Sequence, residues 1–242
     1  MNKTSINQGN GPQVEVSRHE NIIELSKVGK IFRTDEVETL ALENVNMSVE
    51  EGEFLAVMGP SGCGKSTLLN IMGMLDRPTS GTVTVCGVKA GELSDARMAE
   101  FRNKTIGFVF QSFHLIQSLN VIENVEMPLL YAGLSAKERR ERAYQVLEQV
   151  GMTHRLRHLP SQLSGGQCQR VAIARAIACN PKIILADEPT GNLNSEMAAD
   201  VMNILMRLNS EERRTIVMVT HNEQQAALAH RTARFFDGHQ VG

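Results

Sequence analysis

One octapeptide constrains this chain more than any other feature: Gly59-Pro60-Ser61-Gly62-Cys63-Gly64-Lys65-Ser66, followed by Thr67. It fits the pattern G-x-x-x-x-G-K-[ST], and it stands between a compact apolar run, Glu53 to Met58, and a stretch of helical character, Lys65 to Met74. Glycines at these places let backbone N–H groups close around phosphate oxygens. The helix start adds its own unpaired N–H groups and the positive end of its dipole. Lys65 is then expected to reach the β- and γ-phosphates, and Ser66 to place its hydroxyl on Mg²⁺. A tight glycine turn in an ordinary α/β protein could produce the bare pattern. Strand, loop and helix in this order argue against that.

The rest of the chain supplies the matching frame. Ile22 to Val49 alternates apolar and polar residues, as half-buried antiparallel strands do, and Thr82 to Cys86 reads as a further strand. Ile106 to Phe110, Lys182 to Asp187 and Thr215 to Thr220 are short, nearly continuous apolar runs. Helical stretches lie between them, at 135–150, 164–178 and 195–208. Buried apolar strands alternating with helices predict a parallel sheet covered on both faces. The mixed charges of 137–142 fit a solvated helix face with opposite charges three and four residues apart.

At 242 residues and 42 % hydrophobic, the chain can bury a sizeable core in one large domain with an insertion. Lys plus Arg number 25 against 27 Asp plus Glu, so no global charge pulls it toward nucleic acid. Cys63, Cys86, Cys168 and Cys179 contain no C-x-x-C pair, which points to a reducing compartment and no zinc site. Cys86 and Cys179 are expected to be small buried hydrophobes. Residues 1–20 are polar and read as a flexible leader without the apolar core of a signal peptide. No apolar run approaches the ~20 residues of a membrane span, so service at a membrane requires docking on a membrane partner.

Asp187 and Glu188 end one of the apolar strands, where ligands gather in open α/β folds. Asp187 suits Mg²⁺, held through a water, and Glu188 is placed to polarise an attacking water as general base. Leu163-Ser164-Gly165-Gly166-Gln167 puts a hydroxyl and two glycines at a helix start, an anion-binding arrangement or a plain cap.

In this order the motifs resemble the ATP-binding cassette family from about Ile22 onward, with Leu163–Gln167 as its signature. The resemblance implies an α/β P-loop NTPase core with an antiparallel β subdomain and an inserted helical subdomain at about 112–178, within a domain spanning 21–242. It implies ATP and Mg²⁺ as ligands and a homodimer in which Ser164, Gly166 and Gln167 of one chain touch the γ-phosphate held by the other. Gln111 would contact Mg²⁺ and the lytic water, His221 the γ-phosphate, and Phe32 the adenine ring. The chain departs from the family at Asn194 and Asn222, where Asp is usual.

The segments 68–78, 127–134 and 186–193 resemble the lipoprotein-releasing and macrolide-efflux branch. That implies a separate integral membrane permease and a cytoplasmic, peripheral place on the inner face of a bacterial membrane. A cell-division regulatory motor (FtsE-like), with no transported substrate, is the alternative. A soluble cassette acting on DNA or ribosomes would show two cassettes or a coiled-coil insertion. Leu115, Leu119 and Met127 are expected either to line the groove for the membrane subunit or to be ordinary core.

Overall fold

The computed structural model describes residues 20–33 and 37–241. The expected leader lies outside the described residues except for Glu20. Along the chain run β1 (Asn21–Arg33), β2 (Glu38–Glu50), β3 (Phe54–Met58), α1 (Lys65–Met72), β4 (Ser80–Val85), β5 (Val88–Lys89), α2 (Asp95–Thr105) and β6 (Ile106–Phe110). Then follow α3 (Val121–Tyr131), α4 (Ala136–Gln149), α5 (Gly165–Ile177), β7 (Ile183–Asp187), α6 (Ser195–Ser210), β8 (Thr215–Val219), α7 (Glu223–Ala226), β9 (Arg231–Phe236) and β10 (His239–Val241).

Two sheets form. A four-stranded antiparallel sheet has the order β2-β1-β4-β5, and a six-stranded sheet has the order β10-β9-β3-β8-β7-β6. Within the larger sheet only the β10–β9 pair is antiparallel. The sheets meet where Glu43 N–H donates to Gly238 O at 3.0 Å.

Side chains alternate along each parallel strand, so an apolar run feeds two cores. Phe54, Ile184, Ala186, Ile216 and Met218 face Val171, Ala172, Val201 and Leu205 of α5 and α6. Leu55, Val57, Ile183, Leu185, Val217 and Val219 face Leu68, Leu69, Ile71 and Met72 of α1 and the inner side of the antiparallel sheet. Burying each such aliphatic side chain contributes about 1.5–3 kcal/mol. This is why strands apolar at every position are stable here and nowhere on a one-sided sheet.

Helices α3, α4 and α5 pack on one another. Each opens with a capping box: Asn120 with Glu123, Ser135 with Glu138, Ser164 with Gln167. A cap of this kind stabilises a helix by about 1 kcal/mol.

Three helices (α2, α3 and α7) and three strands (β5, β9 and β10) have no counterpart in the sequence reading. α2 buries only Met98, so it carries no apolar stripe. α3 holds Pro128 in its last turns, where the missing N–H argues against a helix. β9 and β10 form an edge hairpin whose exposed residues include Phe236 and Val241. The cysteine expectation also needs correction: Cys63 and Cys168 are the buried pair, while Cys86 and Cys179 are only half-buried. Burial pushes the thiol pKa up at Cys86, Cys168 and Cys179. Among the described residues no helix is long and apolar enough to cross a membrane.

Candidate functional site

Parallel register assembles the site. Phe110 pairs with Asp187, Asp187 with Val219, and Val57 with Val219. The carboxyl ends of β6, β7, β8 and β3 are therefore level, and the residues that follow them emerge along one sheet edge. These are Gln111, Glu188, His221 and the Gly59–Ser66 loop. Residues scattered from 59 to 221 in sequence are brought together by backbone pairing alone.

The loop wraps the N-terminus of α1. Gly64 is its N-cap, at φ 97°. A Cβ there would also sit 2.3 Å from Ala41 O of β2, so both conformation and space demand glycine. Lys65 is 7 % exposed, and its ammonium donates to Gly59 O at 2.9 Å and Pro60 O at 2.6 Å, with Cys63 Sγ at 3.8 Å. The charge is thus held in a ring of loop acceptors, aimed into the loop.

Ser66, in the first turn of α1, and Asp187, at the end of β7, interact, and the Ser66 side chain favours the ionised carboxylate. Burial pushes the Asp187 carboxyl above its ordinary range; Ser66 pulls it down, Glu188 pushes it further up, and Lys65 pulls it down. Among the described residues no three His, Cys, Asp or Glu side chains cluster as a metal cage. Ser66 and Asp187 are neighbouring hard oxygen donors, and two such ligands would suit Mg²⁺, which keeps waters and substrate phosphates for its other positions.

Glu188 adopts φ 43°, a left-handed conformation that costs a non-glycine residue of order 1–3 kcal/mol. Its N–H donates to Val219 O at 2.9 Å, which fixes the turn against β8. The turn delivers the Glu188 carboxylate to His221, with Nδ1 to Oε2 at 2.9 Å.

Gln111 is held by Asn192, a residue the sequence reading did not single out. Gln111 Nε2 donates to Asn192 Oδ1 at 3.2 Å, and Asn192 Nδ2 donates to Gln111 O at 3.1 Å. Gln225 was missed as well. Its Oε1 accepts from Thr190 at 2.8 Å and from Thr220 at 3.4 Å, tying the turn after Glu188 to the strand end before His221. No spacing rule could have found either link, because the partners lie 81 and 35 residues apart.

The two departures from the family pattern have a local use. Asn194 Oδ1 accepts from Met197 N–H at 2.9 Å and caps α6. Asn222 Oδ1 accepts from Gln224 and Gln225 N–H at 2.9 and 3.1 Å and caps α7. Asn caps a helix about as well as Asp, so both positions keep this role without a charge.

Ser164 is exposed at the start of α5, with its hydroxyl accepting from Gln167 N–H at 3.3 Å while Gln167 Oε1 accepts from Ser164 N–H at 3.0 Å. Gly166 is buried beneath Met197. Among the described residues no hydrogen bond joins this segment to the Gly59–Thr67 loop of the same chain. Phe32 is not core: it is 44 % exposed, and Lys30 Nζ lies 4.9 Å from its ring centroid.

An apolar groove of about 580 Å³ opens beside α3, lined by Leu75, Phe108, Pro128, Tyr131, Arg175 and Ala176 among others. Tyr131 is 77 % exposed at its rim. Leu115 is not part of it. Leu115 belongs to the core under α3 and α5, and Leu119 and Met127 are half-buried.

A P-loop fold with a carboxylate pair, a glutamine and a histidine on one sheet edge defines an ATP hydrolase of the cassette type. Residues 42–191 match the ABC transporter family model, and the chain belongs to that family. An uncharacterized ABC transporter ATP-binding protein of Methanocaldococcus jannaschii is 52 % identical over 220 residues, 91 % of this chain and 98 % of that protein. The lipoprotein-releasing system ATP-binding protein LolD of Geobacter metallireducens is 47 % identical over 220 residues, 91 % and 98 % of the two chains. Among solved structures, the dimeric post-hydrolysis state of the ATP-binding cassette MJ0796, bound to ADP and Pi, superposes with a TM-score of 0.85 at 45 % identity, covering 91 % of this chain and 97 % of that one. The chain falls in the branch that includes the lipoprotein-releasing and macrolide-export cassettes.

Proposed function

We propose that this chain is the ATP-hydrolysing motor of a two-component membrane complex, working as a homodimer that closes on ATP and opens after hydrolysis. The observation that carries the reading is the level sheet edge, where Lys65, Ser66, Gln111, Asp187, Glu188 and His221 converge. The loop N–H groups and Lys65 bind the phosphates, for which Lys65 exchanges the Gly59 and Pro60 carbonyls for phosphate oxygens. Ser66, Asp187 and Gln111 would hold Mg²⁺, which when bound would neutralise charge developing on the phosphates. Glu188 takes the proton of the attacking water, and His221 orients its carboxylate through the 2.9 Å contact while reaching the γ-phosphate. Phe32, held off the core, offers a face to adenine.

The exposed Ser164 hydroxyl, with Gly166 and Gln167, serves the ATP held by the second copy. Support comes from its isolation from this chain's own loop and from the dimeric MJ0796 cassette. The helical subdomain is taken as about 112–178. The groove beside α3 takes an apolar helix of a separate membrane permease, which holds the ATPase on the inner face of the cytoplasmic membrane. Selectivity for the exported, effluxed or released molecule belongs to that permease.

Glu188→Gln tests the assembly. The variant should bind MgATP, hydrolyse it very slowly and run as an ATP-dependent dimer on size exclusion. Wild-type turnover would overturn the base assignment, and a monomer in saturating ATP would overturn the dimer.

A further inference from the structure

The α5 helix carries two roles at once. Its first turn presents the segment proposed to meet the partner's ATP, and its body packs against this chain's own catalytic strands. One side chain joins the two. Gln169 is fully buried, and its Nε2 donates to Pro189 O at 2.5 Å and to Phe110 O at 3.3 Å. Phe110 immediately precedes Gln111, and Pro189 immediately follows Glu188. A single amide group on α5 thus grips the backbone on either side of the site.

The orientation of this amide is forced. Both neighbours are carbonyl oxygens, so only the NH₂ end can face them. Gln169 Oε1 is then left with no hydrogen-bond partner among the described residues. A buried amide with one end doubly engaged and the other unpaired is a poor choice for stability alone. A second α5 side chain acts on the same loop: Arg175 donates to Phe113 O at 2.7 Å and also to His114 O. The Gln111 loop is therefore carried by α5 at two points.

We propose that Gln169 is a positioning residue that couples the two halves of the dimeric site: movement of α5, when its first turn engages the partner's ATP, is passed through the Gln169 amide to the backbone of Gln111 and Glu188. This rests on the dimer reading above. It makes hydrolysis conditional on dimer closure, because the groups that act on the water are held by the helix that senses the second copy.

Gln169→Met nearly preserves volume and removes both donors. In a Glu188→Gln background it should still form the ATP-dependent dimer. With Glu188 intact, kcat should fall at least tenfold while KM for ATP stays within about threefold. A residue needed only for folding would lower dimerisation and turnover together. Wild-type kcat in the folded Met variant overturns the coupling. If that variant does not fold, Gln169→Asn, one methylene too short to reach both carbonyls, is read in the same way. Failure of both to fold assigns Gln169 a structural role and also overturns it. Absence of a dimer with Glu188→Gln alone instead overturns the dimer reading, independently of Gln169.

Discussion

His221 Nδ1 lies 2.9 Å from Glu188 Oε2, across the ends of two adjacent parallel strands. The contact joins the two groups expected to act on the water and the γ-phosphate. It exists because Glu188 takes a left-handed turn that a carboxylate residue does not adopt unaided.

Groups that act as one unit lose their effect together. His221→Ala and Glu188→Gln should each lower kcat by about 10²–10⁴-fold, the range of general acid–base contributions. The double variant should be no slower than the slower single one. Steady-state phosphate release checks this, and multiplicative losses would show that the two side chains act independently.

Asn192 should matter to turnover without touching nucleotide affinity. Its reciprocal pair with Gln111 is two hydrogen bonds of about 0.5–1.5 kcal/mol each. Losing both, about 1–3 kcal/mol, Asn192→Ala should reduce kcat by about 5- to 160-fold, with ATP binding unchanged in a fluorescent-nucleotide titration.

Asp187 makes a pH-dependent prediction. Burial holds its folded-state pKa above the unfolded value. The nucleotide-free protein therefore gains stability from this group as pH falls: the gain is full below the unfolded pKa, near 3.9, and is lost as pH rises through the raised folded pKa. Asp187→Asn removes this component, so its melting temperature should vary less over this acidic range. Metal binding needs the ionised carboxylate, so MgATP-induced stabilisation of the wild type should weaken as pH falls through the same raised value. Thermal melts across pH, with and without MgATP, report both trends.

Leu115 and Tyr131 should separate core from docking surface. Leu115→Asp places a charge inside the core under α3 and should destabilise by more than about 3 kcal/mol. Tyr131→Asp lies on an exposed rim, so stability should stay within about 0.5 kcal/mol. Basal ATPase activity should persist in the Tyr131 variant, while copurification with a membrane permease is lost. Retained copurification would move the docking site elsewhere.

Local chemistry made much of this protein readable. The Gly59–Ser66 loop carries its own backbone geometry, because φ 97° at Gly64 excludes nearly every other residue. The runs at 183–187 and 215–219 declare two-sided burial, since no amphipathic surface tolerates the four and five consecutive buried positions they hold. The same logic failed at α2, which buries one side chain, and at α3, where Pro128 sits in a helix held by its packing on α4 and α5.

The parts themselves are legible along the chain: a phosphate loop, a carboxylate pair, a glycine-opened helix and the strands that end beside them. Each is specified within a few residues by dihedral freedom, capping or alternation. How they are joined is set by contacts made on folding. Parallel register levels four strand ends, Asn192 clasps Gln111, Gln225 ties Thr190 to Thr220, and Gln169 grips Phe110 and Pro189. Those links run between residues far apart in the chain, and hydrogen bonds of that range leave no period or spacing in the sequence to be read.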